Sequence, residues 1–248
     1  MSRAKNDSMI WDVPVAFVLL TRLPIPALPE AAFTRGAPAV WAYPLVGAVL
    51  GAVVVAILAV LDALGVPQML AAGVGLGAVV MLTGAMHEDG LADSADGLWG
   101  GFTADRRLEI MKDSRIGTYG VLALVLGLGL RWVGYAEVAL AGVVAALVIS
   151  RAAMPVLMWA LPHARADGLS QSVGRPAVTP VATGLGIALV ISGLLIGPAA
   201  LFAVMFAGGV TAVIALVARG KIGGQTGDIL GACQVLCEIT VLLVLAAQ

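Results

Sequence analysis

Four carboxylates, Glu88, Asp89, Asp93 and Asp96, fall within nine residues of the stretch HEDGLADSADGLWGG (87–101), in a chain of which only 12% of residues are charged. If the stretch is helical, 100° per residue places Asp93 about 40° and Asp96 about 20° from Asp89, on one face, with Glu88 about 100° away on the flank. Anions so arranged at the end of an apolar run repel one another, and each costs free energy to desolvate. A divalent cation removes both objections. Hard oxygen donors suit Mg²⁺, which binds one or two carboxylates together with substrate phosphate oxygens. Glu88, Asp89, Asp93 and Asp96 are therefore the candidate metal ligands. The competing picture is a solvated acidic loop neutralised by nearby Arg and Lys.

The residues that follow favour the metal. In GLWGGFTADRRLEIMKDSRIGTYG (97–120), Gly97, Gly100 and Gly101 permit tight turns. Thr103 followed by Asp105 predicts a capped helix over roughly 104–114, with Arg106, Arg107 and Lys112 on it and Leu108 and Met111 as a partial apolar seam. Asp113, Ser114 and Arg115 then supply an acceptor, a small donor and a guanidinium fork in succession, and Gly117 frees the backbone before the next apolar run. An arginine fork binds phosphate oxygens in a bidentate way. Carboxylates for a metal beside cations for phosphate are what phosphoryl transfer requires, because catalysis there is mostly positioning and charge neutralisation. Arg106, Arg107, Lys112, Ser114 and Gly117 are the candidate substrate-binding residues, and Arg115 is the candidate catalytic cation. For the general base the first choice is Asp113, since a carboxylate off the metal keeps its basicity. Alternatively Asp113 orients Arg115 or Arg107, and Asp96 is the base.

A second cluster lies in GGQTGDILGACQVLCE (223–238). On a helix Asp228, Gly231, Val235 and Glu238 share a face, with Gln234 four residues before Glu238. Asp228, at the mouth, is a candidate for contacting metal or substrate. Glu238 and Arg151 are charges within apolar runs, and an ion pair between them satisfies both.

The elements that must position these groups belong to a membrane protein. The 248 residues are 60% hydrophobic with a mean hydropathy of +1.03, far from the composition of a soluble domain. Runs of about 20 apolar residues, enough to cross the hydrocarbon core, are predicted near 43–62, 67–86, 118–134, 138–161, 178–197, 199–218 and 229–247, the third being the weakest. The fold class is thus all-α, a polytopic bundle of about six or seven transmembrane helices forming one domain over 1–248, preceded by a short N-terminal interfacial or re-entrant element. Gly47 with Gly51, and Gly73, Gly75 and Gly77, are small residues suited to close helix packing. Fourteen basic against fifteen acidic residues, a net charge of −1, exclude the basic excess of a nucleic-acid binder. Cys233 and Cys237 read as buried small residues. With the N-terminus inside, twelve of the fourteen basic residues fall on one side: Arg3, Lys5, Arg22, Arg35, Arg106, Arg107, Lys112, Arg115, Arg165, Arg175, Arg219 and Lys221. That side is cytoplasmic by the positive-inside rule and carries the loop 87–117. The sequence is compatible with a homo-oligomer and does not specify one.

At these residues the chain resembles the cobalamin synthase family. The likeness runs through FVLLTRLPIP (17–26), WAYPLVGAVLG (41–51), the block from HEDGLADSADGLWGG to RRLEIMKDSRIGTYG, Ser150 with Arg151, and GGQTGDILGA (223–232). In LPHARADG (161–168) the chain departs from the family pattern, with His163 where an aromatic is expected. The resemblance implies a Mg²⁺-dependent enzyme of the cell (inner) membrane. It would join adenosylcobinamide-GDP to α-ribazole or its 5'-phosphate, giving adenosylcobalamin or its 5'-phosphate and releasing GMP. Two alternatives differ in chemistry. A CDP-alcohol phosphotransferase also begins an aspartate-rich signature with Asp-Gly, but expects Ala-Arg two residues later, where Leu91 and Ala92 are followed by Asp93. A divalent-cation transporter would place its carboxylates at the membrane midplane.

Overall fold

The computed structural model describes residues 9–248, so Arg3 and Lys5 of the charge argument lie outside the described residues. The described chain is helical throughout. Six helices are long and apolar enough to cross a membrane: Pro38–Ala63, which contains α2 (Tyr43–Ala63), α6 (Thr118–Glu137), α7 (Leu140–Ala160), α9 (Val178–Ile196), α10 (Ala199–Ile222) and α11 (Gly227–Ala246). Six of the seven predicted runs match these helices within a few residues. The run at 118–134, read as the weakest, is a full 20-residue helix.

The run at 67–86 is the one that departs. It forms α3 (Gln68–Thr83), whose 16 residues fall short of the roughly 20 a straight span requires. The chain then bends by 86° into α4 (Met86–Gly100), the acidic helix. The corner is made by Gly84 and Ala85, both at positive φ (65° and 55°). For alanine this is a strained conformation.

α7 is the central element, packed against α2, α9, α10 and α11. Where α2 meets it, a Cβ on Gly47 would lie 2.3 Å from the Leu147 carbonyl oxygen, so the helices approach backbone to backbone as small residues allow. The N-terminal apolar stretch forms only α1 (Asp12–Leu20), too short to cross. Its Asp12 is buried and accepts from Arg35 and from Trp41 Nε1 (2.8 Å). Two short helices complete the chain, α5 (Ala104–Ile110) and α8 (Leu169–Val173). The Thr103 cap is present, accepting from Arg106 N at 3.3 Å, and the helix it starts ends at Ile110 rather than near 114.

A candidate active site where α4 crosses α11

The acidic stretch is helical, and a contact between glycines decides what it meets. A Cβ on Gly90 would lie 2.8 Å from the Asp228 carbonyl oxygen and 3.2 Å from Gly231 Cα. α4 and α11 therefore cross with their backbones touching. The crossing brings the carboxylates of Asp89 and Asp93 to the mouth of α11, so that the negative charges of Asp89, Asp228 and Asp96 all act on Asp93, with Arg165 opposing them.

Arg165 comes from the 161–168 loop and is held there by backbone. Gln225 N donates to the Pro162 carbonyl and Ala164 N to the Gln225 carbonyl, each at 2.9 Å. Gly224 is essential to the approach, since a Cβ there would lie 2.2 Å from the Pro162 oxygen. Gln225 Nε2 also meets His163 Nδ1 (2.9 Å), and Ser170 Oγ donates to Gln225 Oε1 (2.6 Å). Fixed in this way, Arg165 Nη2 donates to Asp228 Oδ2 at 2.9 Å, while its Nε lies 3.9 Å from Asp167. Asp167 in turn accepts from Lys112 Nζ at 2.6 Å. A chain of charge thus links the loop after α5 to the α4/α11 crossing. Beneath it lies a cavity of about 150 Å³ whose polar wall is His87, Asp89, Arg165, Ser170 and Asp228, and whose apolar wall includes Met154 and Met158. Among the described residues, His87 Nε2 is buried there without a hydrogen-bond partner.

The predicted site residues separate into those the fold assembles here and those it sends elsewhere. Asp89, Asp93, Asp228 and Lys112 are assembled. Asp96 is only 8% exposed, and its carboxylate accepts from Gly117 N (2.7 Å) and Gly120 N (2.9 Å), capping the start of α6. The shared face predicted for Asp89, Asp93 and Asp96 is present in helical angle, but the third carboxylate is committed to backbone amides. Gly117, predicted to contact substrate, supplies one of them. Glu88 turns to the opposite flank and is engaged by Arg131. Arg106 pairs with Glu109 in solvent (2.7 Å). Arg107 donates to the Lys221 carbonyl (2.9 Å), tying α5 to the end of α10. Arg115 is 87% exposed and chelates Asp113, Nη2 to Oδ2 at 2.7 Å. Hydrogen bonding to Arg115 holds the Asp113 carboxyl below the usual carboxylate range. Asp113 thus pairs with Arg115, the contact on which the second of its two readings rests. Ser114 is exposed beside them.

The Glu238–Arg151 ion pair is present, and Glu238 has a second and closer cation. Arg131, which lies within the run at 118–134, is 1% exposed in the bundle interior and bonds Glu238 through Nε at 2.9 Å. Arg151 stands off at 4.0 Å. Tyr135 OH (2.8 Å) and Gln234 Nε2 (2.7 Å) complete the carboxylate's shell. Two cations, Arg131 and Arg151, thus offset two anions, Glu88 and Glu238, under the acidic helix, which stiffens the floor on which Asp89 and Asp93 stand. Sequence reasoning missed Arg165 and His87 as site residues. The only local signal for Arg165 was its place in the charged run HARAD between two apolar helices.

The carboxylates of Asp89 and Asp93 have no hydrogen-bond or ion-pair partner among the described residues, and no cluster of three or more His, Cys, Asp or Glu side chains there could hold a metal by itself. Two unspent carboxylates one helical turn apart fit Mg²⁺, which takes few protein ligands and completes its shell with water and phosphate oxygens. A closed structural site would need more protein donors.

Comparison with known proteins places this geometry in context. Residues 12–246 match the family described as cobalamin-5-phosphate synthase. The chain is 43% identical over 246 residues to a protein of Bradyrhizobium diazoefficiens named adenosylcobinamide-GDP ribazoletransferase, covering 97% of this chain and 95% of the relative. Proteins of the same name from Brucella anthropi (40%, covering 96% and 97%) and Azorhizobium caulinodans (42%, covering 96% of each) are similarly close. No solved structure gives a significant match.

Proposed function

Because the chain belongs to the cobalamin-5-phosphate synthase family, we propose that it is an adenosylcobinamide-GDP ribazoletransferase whose chemistry takes place at the α4/α11 crossing. A hydroxyl oxygen of α-ribazole, or of its 5'-phosphate, attacks the pyrophosphate phosphorus on the cobinamide side. The new P–O bond gives adenosylcobalamin or its 5'-phosphate as the bond from that phosphorus to the bridging oxygen breaks, and GMP leaves with the bridging oxygen and the electron pair. The hydroxyl proton is released. The observation that carries this assignment is the convergence of two unspent carboxylates, Asp89 and Asp93, with Arg165 and Lys112 from other parts of the chain.

Asp89 and Asp93 would hold Mg²⁺, which when bound supplies positive charge to the pyrophosphate oxygens. Arg165 and Lys112 are already tethered by Asp228 and Asp167, so they face incoming phosphate with little ordering left to do. Arg115, oriented by Asp113 on an exposed loop, can swing onto the leaving nucleotide. The apolar wall of the cavity excludes water, which would otherwise compete with the ribazole hydroxyl. A cytoplasmic placement of this face, in the inner membrane, agrees with the distribution of basic residues.

Purified protein in lipid nanodiscs, given adenosylcobinamide-GDP and either acceptor, should release GMP and form the joined corrinoid with Mg²⁺ and not with EDTA. Failure to release GMP from that donor, with turnover of a CDP-alcohol instead, would overturn the assignment.

A further inference from the structure

The motif FVLLTRLPIP gives the site as built so far only apolar wall, Leu19 and Leu20. Its residues leave α1 at Thr21 and run past the α3/α4 corner, where Arg22 N donates to the Leu82 carbonyl. The Arg22 side chain crosses directly over Gly84: a Cβ on that glycine would lie 2.7 Å from Arg22 Nε and 2.8 Å from its Cγ. The corner that launches the acidic helix therefore also positions this arginine.

Arg22 lines a chamber of about 480 Å³ beside the acidic cavity. Leu19, Met86, Leu169 and Val173 belong to the walls of both, so the two spaces adjoin. The side-chain polar groups in the outer wall are those of Thr21, Arg22, Thr83 and Ser172. The three hydroxyls are spent on backbone: Thr21 on the Phe17 carbonyl, Thr83 on that of Val79 and Ser172 on that of Leu169. Among the described residues the Arg22 guanidinium has no hydrogen-bond or ion-pair partner, whereas the basic groups of the inner site, Arg165 and Lys112, are paired with aspartates. An unspent guanidinium fork at the rim of a chamber whose hydroxyl hydrogens are already donated to backbone is suited to a dianionic phosphomonoester.

We propose that this outer chamber is the acceptor subsite and that Arg22 binds the acceptor's terminal phosphate, so that the chain selects a nucleoside monophosphate over the nucleoside. The inference rests on the transferase assignment above. The acceptor would lie across both spaces, with its phosphate at Arg22 and its reacting hydroxyl toward Asp89. Arg22 acts here as a specificity residue, remote from the bonds that change.

The test compares kcat/KM for α-ribazole and for its 5'-phosphate in wild type, Arg22→Gln and Arg22→Lys, each in neutral and in anionic nanodiscs. Loss of one charge-assisted contact predicts that Arg22→Gln lowers kcat/KM for the phosphorylated acceptor by about 10- to 100-fold, chiefly through KM. The unphosphorylated acceptor and the corrinoid donor should change less than about 3-fold on the same reasoning, and Lys should recover only part of the loss. Equal losses with both acceptors would overturn the proposal. So would a loss that follows anionic lipid content, which would assign Arg22 to a headgroup. A binding arm independent of turnover uses ribose 5-phosphate, which should raise the melting temperature of wild type and not of Arg22→Gln. Protection of both proteins alike overturns the subsite. Selective protection in a protein that makes no corrinoid product would instead count against the transferase assignment alone.

Discussion

Replacing Asp96 separates a structural carboxylate from a catalytic one. The side chain is 8% exposed and accepts two amide hydrogens, from Gly117 at 2.7 Å and Gly120 at 2.9 Å, at the positive end of α6. Asp96→Asn keeps one carbonyl oxygen for one amide but turns an NH₂ group toward the other, leaving a buried donor facing a donor. With charge-assisted bonds contributing about 1.5–3 kcal/mol and an unsatisfied buried group costing about 1–3 kcal/mol, the variant should lose about 2–4 kcal/mol. Asp96→Ala, which loses both bonds and the favourable charge at the helix start, should lose about 3–6 kcal/mol. The same cap can be attacked from the other side, because a Cβ on Gly117 or Gly120 would fall 2.5 Å or 2.4 Å from an Asp96 carboxylate oxygen. Gly120→Ala should therefore resemble Asp96→Asn in stability. Denaturant unfolding in a defined mixed micelle, followed by tryptophan fluorescence, measures the losses, and calorimetric Mg²⁺ titration of the folded fraction should give wild-type affinity. An Asp96→Asn protein of unchanged stability that had lost Mg²⁺ binding would refute the capping role and return Asp96 to the metal.

Gly90→Ala should disrupt the α4/α11 crossing, since its Cβ would press on the Asp228 carbonyl at 2.8 Å. Overpacking of this kind costs about 1–3 kcal/mol, and an activity loss larger than the stability loss, read by steady-state assay against unfolding, marks displaced carboxylates. Glu238→Gln leaves Arg131 and Arg151 facing a single buried carboxylate, Glu88, and should cost about 3–5 kcal/mol in the same unfolding measurement. For Asp113 the sign of the pH effect is diagnostic. Its folded pKa is depressed by Arg115, so the ionised pair is intact above the ordinary carboxylate range and is lost only as pH falls through the depressed value. Asp113→Asn should accordingly raise KM for the corrinoid donor while leaving the pH profile of kcat between about pH 5 and 9 unchanged. Disappearance of an acidic limb would instead make Asp113 the base.

The helices were legible because span length and apolar content are properties of consecutive residues, and the acidic helix because its spacing repeats every three to four positions. The bend at Gly84 and Ala85 was not, since the apolar run passes through it without a proline or a polar break. The shared face of Asp89 and Asp93 could be read from their spacing, but the departure of Asp96 could not. Nothing near Asp96 in sequence announces that amides more than twenty residues later will claim it. Arg131 shows the same limit: nothing near it in sequence announces that a buried carboxylate on each of two other helices makes the interior its environment. Arg165 needed the pairing of the 161–168 and 223–226 loops, which depends on Gly224 having no side chain.

The central claim is that Asp89 and Asp93 are the carboxylates on which phosphoryl transfer depends. The direct measurement is GMP release from adenosylcobinamide-GDP as a function of Mg²⁺ concentration for wild type, Asp89→Asn and Asp93→Asn, with far-UV circular dichroism and unfolding confirming that each variant is folded. Each substitution should lower kcat by at least about 100-fold and shift the Mg²⁺ requirement upward, as removal of one charged ligand in a low-dielectric site does. Near wild-type turnover and an unchanged Mg²⁺ requirement in both variants would contradict the claim.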